Sequence, residues 1–141
     1  MTVIRPYEDS DKEQVINLWM KCDLIRPWND PHKDINRKKG KGSDLFIILE
    51  YKNEIIGTVM GGYDGHRGIM NYLAVHPKFQ RKGFGAILVS EIEKKLVKLG
   101  CPKINLLVRK DNLKVSKFYQ KIDYDNQTDV LIFSKRLIPD D

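Results

Sequence analysis

The residues best suited to chemistry lie between Gln80 and Ala86, in the run Gln-Arg-Lys-Gly-Phe-Gly-Ala. Gly83 and Gly85 have no Cβ, so an anionic group can approach the backbone closely. An apolar strand precedes the run and an amphipathic helical pattern follows it. The first amides of a helix lack intrahelical partners and favour negative charge. Three further donors precede the glycines: Gln80, Arg81 and Lys82. The pattern predicts a phosphate site, with a solvated basic helix start as the alternative.

Two well-known phosphate loops do not fit this stretch. The Walker A motif requires Gly-Lys-Ser/Thr, and the dinucleotide fingerprint requires a third glycine and a later acidic residue. Here Ala86 and Ile87 follow Gly85. The loop is therefore of another kind.

Composition sets broad limits. The chain has 141 residues, 41% hydrophobic and 31% charged, which predicts one globular domain over residues 1–141. The net charge of +6 suits a polyphosphate ligand or nucleic acid equally. Cys22 and Cys101 are far apart and lack metal-ligand spacing, so we expect reduced, buried thiols and no metal. No leader or membrane helix is predicted, and we expect a cytoplasmic protein.

Hydrophobic spacing and breakers predict a mixed sheet with helices on both faces, in the order β-αα-βββ-α-β-α-β(β). A capping box of Ser10 and Glu13 predicts a first helix from Asp11 with Trp19 in the core, and Asp30 with Pro31 predicts a second to about Lys39. The third helix carries a buried face and stops at Gly100, and a last short helix opens at Asp111 and Asn112. That face comprises Leu88, Ile92, Leu96 and Leu99. Predicted strands span residues 2–5, 45–51, 55–63, 69–75, 103–109 and 130–137.

The glycine run resembles the acyl-coenzyme A signature of the GNAT family of N-acetyltransferases, Gln/Arg-x-x-Gly-x-Gly/Ala, written here from Gln80 to Gly85. The family's preceding Val-x-Pro is present as Val75-His76-Pro77. The element order is also that of the GNAT fold. The segments Arg-Pro-Trp-Asn-Asp and Gly-Gly-Tyr-Asp-Gly-His-Arg-Gly are similar to those of small bacterial members. The resemblance implies a bacterial acetyltransferase that uses acetyl-CoA.

The resemblance also implies where acetyl-CoA would bind. Backbone groups of Leu73, Ala74 and Val75 would pair with the pantetheine arm as an added strand does. The pyrophosphate would be held by amides of Gln80, Arg81, Lys82, Gly83, Phe84, Gly85 and Ala86. Basic side chains of Arg81, Lys82 or Lys114 would lie near the adenosine phosphate, and Asn112 and Ser116 complete the expected cosubstrate contacts.

The segment from Ser116 to Tyr124 resembles the family's closing pattern, in which a tyrosine commonly protonates the departing thiolate. In this chain that tyrosine is Tyr119. The alternative interpretation is that Tyr119 is an aromatic side chain packed in the core and has no part in catalysis. Asp123 replaces the usual glycine of the following turn, so we expect a left-handed backbone there.

The base and the acceptor site are less well defined. Leu107 stands where several relatives have a glutamate, which leaves the base open. The remaining candidates are Asp64 and His66, for which a hairpin tip is the favoured interpretation, and Asp23 or Asp30 acting through water. Acceptor selection would fall to Trp28, Asn29 and Asp30, where an aromatic beside a carboxylate suits a cationic amine.

These expectations define one leading hypothesis, an N-acetyltransferase that transfers acetyl from acetyl-CoA to a primary amine by direct attack. The acceptor would be a small molecule or a peptide, and the enzyme a monomer or homodimer with no nucleic-acid or membrane partner. The alternative is a non-catalytic acyl-CoA sensor, motivated by Leu107. Nucleic-acid binding is the weakest hypothesis, because the aromatics are scattered through core patterns and form no stacking platform.

Overall fold

A computed structural model describes residues 1–140, which divide into two compact units, Met1–Leu106 and the chain from Leu107 onward. The first unit contains a five-stranded sheet in the order β1-β2-β3-β4-β5. Its strands are β1 (Thr2–Pro6), β2 (Phe46–Tyr51), β3 (Glu54–Tyr63), β4 (Gly68–Val75) and β5 (Ile104–Asn105). Neighbouring strands are antiparallel except β4 and β5, which are parallel. The predicted hairpin, the parallel pairing and the mixed α/β class are confirmed.

The described residues contain four α-helices. They are α1 (Lys12–Lys21), α2 (Pro31–Lys38) and α3 (Phe84–Lys98) in the first unit, and α4 (Leu113–Lys121) in the second. Asp30 caps α2 as predicted, since its carboxylate accepts from the amides of His32 and Lys33.

The capping box predicted at Ser10 and Glu13 is wrong. A short 3-10 turn, Asp9–Asp11, precedes α1, and the buried carboxylate of Asp11 accepts from the Glu8 amide at 2.8 Å. That carboxylate also receives a bidentate pair from Arg5 at 2.7 and 2.8 Å. A buried charge requires such partners, and this arginine comes from β1, outside any local capping pattern.

Helices pack on both faces of the sheet, as predicted. On one face Trp19 of α1 is fully buried and donates from Nε1 to the Thr58 hydroxyl at 2.9 Å. On the other face a Cβ at Gly57 would lie 2.9 Å from Leu88 Cδ1 and 3.2 Å from the Ala74 carbonyl oxygen. Glycine therefore lets α3 lie directly on β3.

The buried face of α3 includes Leu88, Ile92 and Leu96, but Leu99 is 54% exposed. The helix ends at Lys98, so Leu99 has already left the predicted stripe. Gly100 then adopts φ +86°, which confirms the predicted glycine stop.

Two predicted strands differ from the structure. The strand predicted over residues 103–109 is reduced to Ile104–Asn105. Residues 130–137 form no strand within the described chain, and the apolar side chains from Val130 to Phe133 are 63–91% exposed. Apolar, β-branched side chains fit a pleated sheet surface, and their composition therefore predicts a strand. A strand also needs a neighbouring strand to hydrogen-bond with, and composition does not show whether one is present.

Candidate functional site

The chain leaves β4 at Val75, makes a 3-10 turn at Pro77–Phe79, and enters α3 at Phe84. Gly83 is the N-cap of α3 with φ +88°, and the first helical bond runs from the Ile87 amide to the Gly83 carbonyl at 3.2 Å. The amides of residues 84–86 therefore precede the helical hydrogen-bond ladder. They form the partly positive end of a 15-residue helix, which is the arrangement the sequence predicts.

The space over Gly83 is open. A Cβ placed there meets nothing within 4 Å, so a ligand can approach this backbone, although the positive φ strains any other residue. Arg81 also has a left-handed backbone, with φ +63°. Two left-handed residues separated by Lys82 turn the chain sharply into the helix.

The side chains of the motif have distinct contacts. Gln80 donates from Nε2 to the carbonyl oxygen of Val75 at 2.9 Å, which ties the loop to the end of β4. The Lys82 ammonium lies 5.7 Å from the ring centre of Phe79. The Gln80 side chain thus ties the loop to β4, while Lys82 adds positive charge immediately before Gly83, the N-cap of α3.

Phe79 anchors the loop through aromatic contacts. Its ring centre lies 5.5 Å from that of Tyr51, 5.9 Å from that of His76 and 6.3 Å from that of Phe84. His76 Nδ1 accepts from the Lys78 amide at 3.1 Å, and burial together with nearby lysines lowers the pKa of His76. A neutral imidazole is the form that accepts this hydrogen bond.

Within Met1–Leu106, the edge of β4 beside the loop has no strand paired to it. β4 pairs with β5 at Gly68 and Ile69, and Leu73, Ala74 and Val75 lie beyond that pairing. The His76 amide points to β3, since it donates to the Ile56 carbonyl at 2.8 Å. Adjacent strand residues direct their backbone groups to opposite edges, so the Val75 amide points away from β3. Its carbonyl already accepts from Gln80 and from the Cys22 thiol at 3.3 Å.

The predicted acceptor residues lie between α1 and α2. Trp28 is 41% exposed, and the Asn29 amide donates to the Arg26 carbonyl at 2.9 Å. The carboxylate of Asp30 caps α2, and the backbone amides of Lys33 and His32 lower its pKa. The indole is thus exposed in this loop, next to the exposed Asp30, whose carboxylate is already hydrogen-bonded to backbone amides.

Each carboxylate considered as a base has a structural partner. Asp64 accepts from the amides of His66 and Arg67 at 2.7 Å, and these bonds lower its pKa. This confirms the hairpin-tip interpretation. Asp23 pairs with Arg26 at 3.0 Å. Leu107, at the expected glutamate position, is 64% exposed.

The second unit contains the remaining predicted residues. Asn112 caps α4 by accepting from the Val115 amide at 3.3 Å, and the Ser116 amide donates to the Asn112 carbonyl at 3.1 Å. Tyr119 is only 8% exposed and contacts the rings of Phe118 and Tyr124 at 5.1 and 5.5 Å. Burial raises the pKa of Tyr119 to about 12. Tyr119 is therefore both an aromatic packed among its neighbours and a phenol that keeps its proton at neutral pH.

Asp123 has φ +73°, which confirms the expected left-handed turn after α4. The two cysteines are free and half-buried, and burial raises the pKa of the Cys22 thiol. Among residues 1–140, no helix is long and apolar enough to cross a membrane. Within the same range no cluster of three or more His, Cys, Asp or Glu side chains could hold a metal ion.

Sequence reasoning missed a cluster around Tyr72, which it treated only as a strand residue. The Tyr72 ring stacks on Trp19 and its hydroxyl donates to Asp34 Oδ2 at 2.5 Å. Thr58 links the two aromatics through hydrogen bonds. The one signal in the sequence is Thr58, a polar residue within the apolar run of β3.

Solved structures share this fold. The chain superposes on the ribosomal-protein-S18-alanine N-acetyltransferase from Escherichia coli with a TM-score of 0.77 and 19% identity, covering 91% of this chain and 80% of that one. It superposes on Ard1 from Thermoplasma volcanium with a TM-score of 0.81 and 20% identity, covering 90% and 84%. At these identities the likeness shows the fold.

Sequence comparison shows the family. An acetyltransferase of Sodalis glossinidius is 52% identical over 137 residues, and one of Yersinia enterocolitica is 53% identical over 137 residues. Each match covers 97% of this chain and 96% of the relative. The profile of the acetyltransferase (GNAT) family matches residues 12–124. The chain belongs to the acetyltransferase (GNAT) family, and it is an acyltransferase enzyme.

Proposed function

We propose that this protein transfers an acetyl group from acetyl-CoA to a primary amine by direct attack. The observation that carries the proposal is the segment from Val75 to Ala86, where an unpaired strand edge leads into the open amino-terminal end of α3. A thioester with a long amide arm and a diphosphate matches those two features in that order. We further propose that residues 1–141 act together as one functional domain.

The cosubstrate would bind mainly to backbone. The pantetheine amides pair with the free edge of Leu73, Ala74 and Val75, and the diphosphate accepts from amides between Gln80 and Ala86. The guanidinium of Arg81 and the ammonium of Lys82 offset the phosphate charge, with Lys114, Asn112 and Ser116 as further proposed contacts. Backbone recognition explains why glycine is required where the phosphates approach.

The reaction needs no covalent enzyme intermediate. A neutral amine attacks the thioester carbonyl, so that a carbon–nitrogen bond forms and the carbon–sulfur bond breaks. The attacking nitrogen loses a proton to water, and the departing sulfur receives one from the Tyr119 hydroxyl. Burial raises the pKa of Tyr119 to about 12, which keeps this group a donor at neutral pH.

The acceptor would be a small amine or a peptide that reaches the loop between α1 and α2. The exposed indole of Trp28 suits the cationic form of an amine, with Asn29 and Asp30 beside it. A shallow depression lined by Ile16, Met20, Asp23, Ile25 and Pro31 lies along the same loop. An acceptor with an apolar part next to its amine fits this surface.

Release of free CoA thiol from acetyl-CoA across a panel of amines and peptides tests the proposal. We expect at least one acceptor to raise thiol release well above the rate without acceptor, with matching acetylated product by mass spectrometry. The Trp28→Ala variant should raise KM for that acceptor, whereas Val97→Ala, at an exposed position near the end of α3, serves as the control. If acetyl-CoA binds but no amine or peptide is acetylated, the protein is an acyl-CoA sensor and the proposal fails.

A further inference from the structure

Tyr72 has an unusual backbone for a tyrosine inside a strand. Its φ is +52°, in the left-handed region that non-glycine residues rarely occupy. The pairing of β3 with β4 shifts at the same point, since Met60 pairs with Asn71 and Thr58 pairs with Ala74. On β4 two residues, Tyr72 and Leu73, therefore lie opposite the one residue Val59 on β3. This is a β-bulge, which bends the strand and redirects the residues after it.

Three contacts hold Tyr72 in this conformation. Its ring stacks on Trp19 with centres 3.8 Å apart and planes inclined by 13°. Its hydroxyl donates to Asp34 Oδ2 at 2.5 Å, and its carbonyl accepts from the Thr58 hydroxyl at 2.8 Å. The same Thr58 oxygen accepts from Trp19 Nε1 at 2.9 Å. The bulge is thus fixed through both the backbone and the side chain of one residue.

The hydroxyl bond to Asp34 is charge-assisted. Burial and the neighbouring Asp34 carboxylate raise the pKa of Tyr72, so the phenol keeps its proton and acts as the donor. Asp34 lies on α2, the helix that follows the proposed acceptor loop, and its other oxygen is 3.5 Å from Arg37. One hydrogen bond therefore joins α2 to the bulge of β4.

We propose that Tyr72 is a positioning residue for acyl-CoA, held in place by Asp34 and Trp19. The inference rests on the proposed function, because Leu73, Ala74 and Val75 are the residues assigned to the pantetheine arm. A left-handed backbone is unfavourable for tyrosine because its Cβ crowds the chain, so the conformation persists only while its contacts hold it. Without them, residue 72 relaxes towards extended backbone, the bulge is lost, and the amides that follow turn to other directions.

Substitutions that remove only the hydrogen bond test this role. Tyr72→Phe keeps the stacked ring and loses the hydroxyl, and Asp34→Ala removes the acceptor from the other side. Asp34→Asn keeps an acceptor oxygen and is the conservative rescue. The matched control is Tyr63→Phe, which removes a hydroxyl that donates to the Gly65 carbonyl at 3.2 Å at the far end of β3.

The measurement is calorimetric titration of each folded variant with acetyl-CoA, at a temperature well below its melting point. Losing one charge-assisted hydrogen bond predicts a Kd about tenfold higher for Tyr72→Phe and for Asp34→Ala. The double variant should be no weaker than either single one, because both remove the same interaction. Asp34→Asn should fall between wild type and Asp34→Ala, about threefold weaker than wild type, since a neutral acceptor replaces a charged one. Tyr63→Phe should leave Kd unchanged.

A second readout separates positioning from simple stabilisation. In Tyr72→Phe the amide NMR signals of Leu73, Ala74 and Val75 should shift, while those of β1 and β2 stay in place. If wild type binds acetyl-CoA and Tyr72→Phe and Asp34→Ala bind it equally well, Tyr72 only stabilises the fold and the inference is overturned. If wild type binds neither acetyl-CoA nor CoA, the proposed function and this inference both fail.

Discussion

The side-chain amide of Gln80 donates a hydrogen bond to the carbonyl oxygen of Val75 at 2.9 Å. The same oxygen accepts from the thiol of Cys22 at the end of α1. One carbonyl therefore joins the last residue of β4, the first residue of the glycine loop and the helix on one face of the sheet. The strand edge and the helix terminus that we assign to acyl-CoA are held together at this point.

Removing this tie should weaken cosubstrate binding. In Gln80→Ala the loop loses its hydrogen bond to β4, and we expect the Kd for acetyl-CoA to rise about five- to tenfold, the value of one neutral hydrogen bond. Isothermal titration with acetyl-CoA measures the change. Gln14→Ala, an exposed glutamine on α1, is the control and should bind like wild type. Equal affinity of the two variants would show that the Gln80 contact plays no part in binding.

Tyr119 should affect chemistry more than binding. Tyr119→Phe keeps the packed ring but removes the proton donor, so we expect kcat to fall about 100-fold with little change in the Kd for acetyl-CoA. Steady-state thiol release and calorimetry on the same preparation measure the two quantities. An unchanged kcat would leave Tyr119 as a packing residue, which is the alternative that its burial also supports.

The same tyrosine makes folding stability depend on alkaline pH. Burial raises the pKa of Tyr119 from 10.0 to about 12, so the folded chain retains a proton that the unfolded chain loses. Its contribution is fully present below pH 10 and disappears as the pH rises towards 12. The contribution is at most about 3 kcal/mol.

Urea unfolding of wild type and Tyr119→Phe at a series of pH values above 9 measures this loss. The free energy of unfolding should fall less steeply with pH in the variant, because the titrating phenol is gone. Some slope should remain, because the pKa of Tyr72 is also raised. Identical slopes in the two proteins would contradict the assignment.

Gly57 should be required for the packing of α3 on β3. A Cβ at this position would lie 2.9 Å from Leu88 Cδ1, whereas at Gly62 the nearest atom, Ile69 Cγ2, would be 3.5 Å away. We expect Gly57→Ala to lower the free energy of unfolding by about 1–3 kcal/mol, because overpacking displaces the helix. Gly62→Ala, the control, should change it by less. Urea unfolding monitored by circular dichroism distinguishes them, and equal losses would contradict the packing.

Local patterns predicted the elements whose determinants are close in sequence. Asp30 with Pro31 predicted the start of α2, and the glycine run before an apolar stripe predicted the loop and α3. The ion pair of Arg5 with Asp11 and the bond of Tyr72 to Asp34 were not predictable in this way. Their partners are joined only when strands and helices pack, so no local spacing indicates them.

The most direct test of the central claim compares glycines at the two ends of α3. Gly83 and Gly100 have φ of +88° and +86°, and a Cβ at either meets nothing within 4 Å. A glutamate at each is therefore similarly strained, but only at Gly83 does it place a carboxylate where we expect the diphosphate. Titration with acetyl-CoA should show binding by wild type and by Gly100→Glu and none by Gly83→Glu. Binding by Gly83→Glu with wild-type affinity would contradict the account.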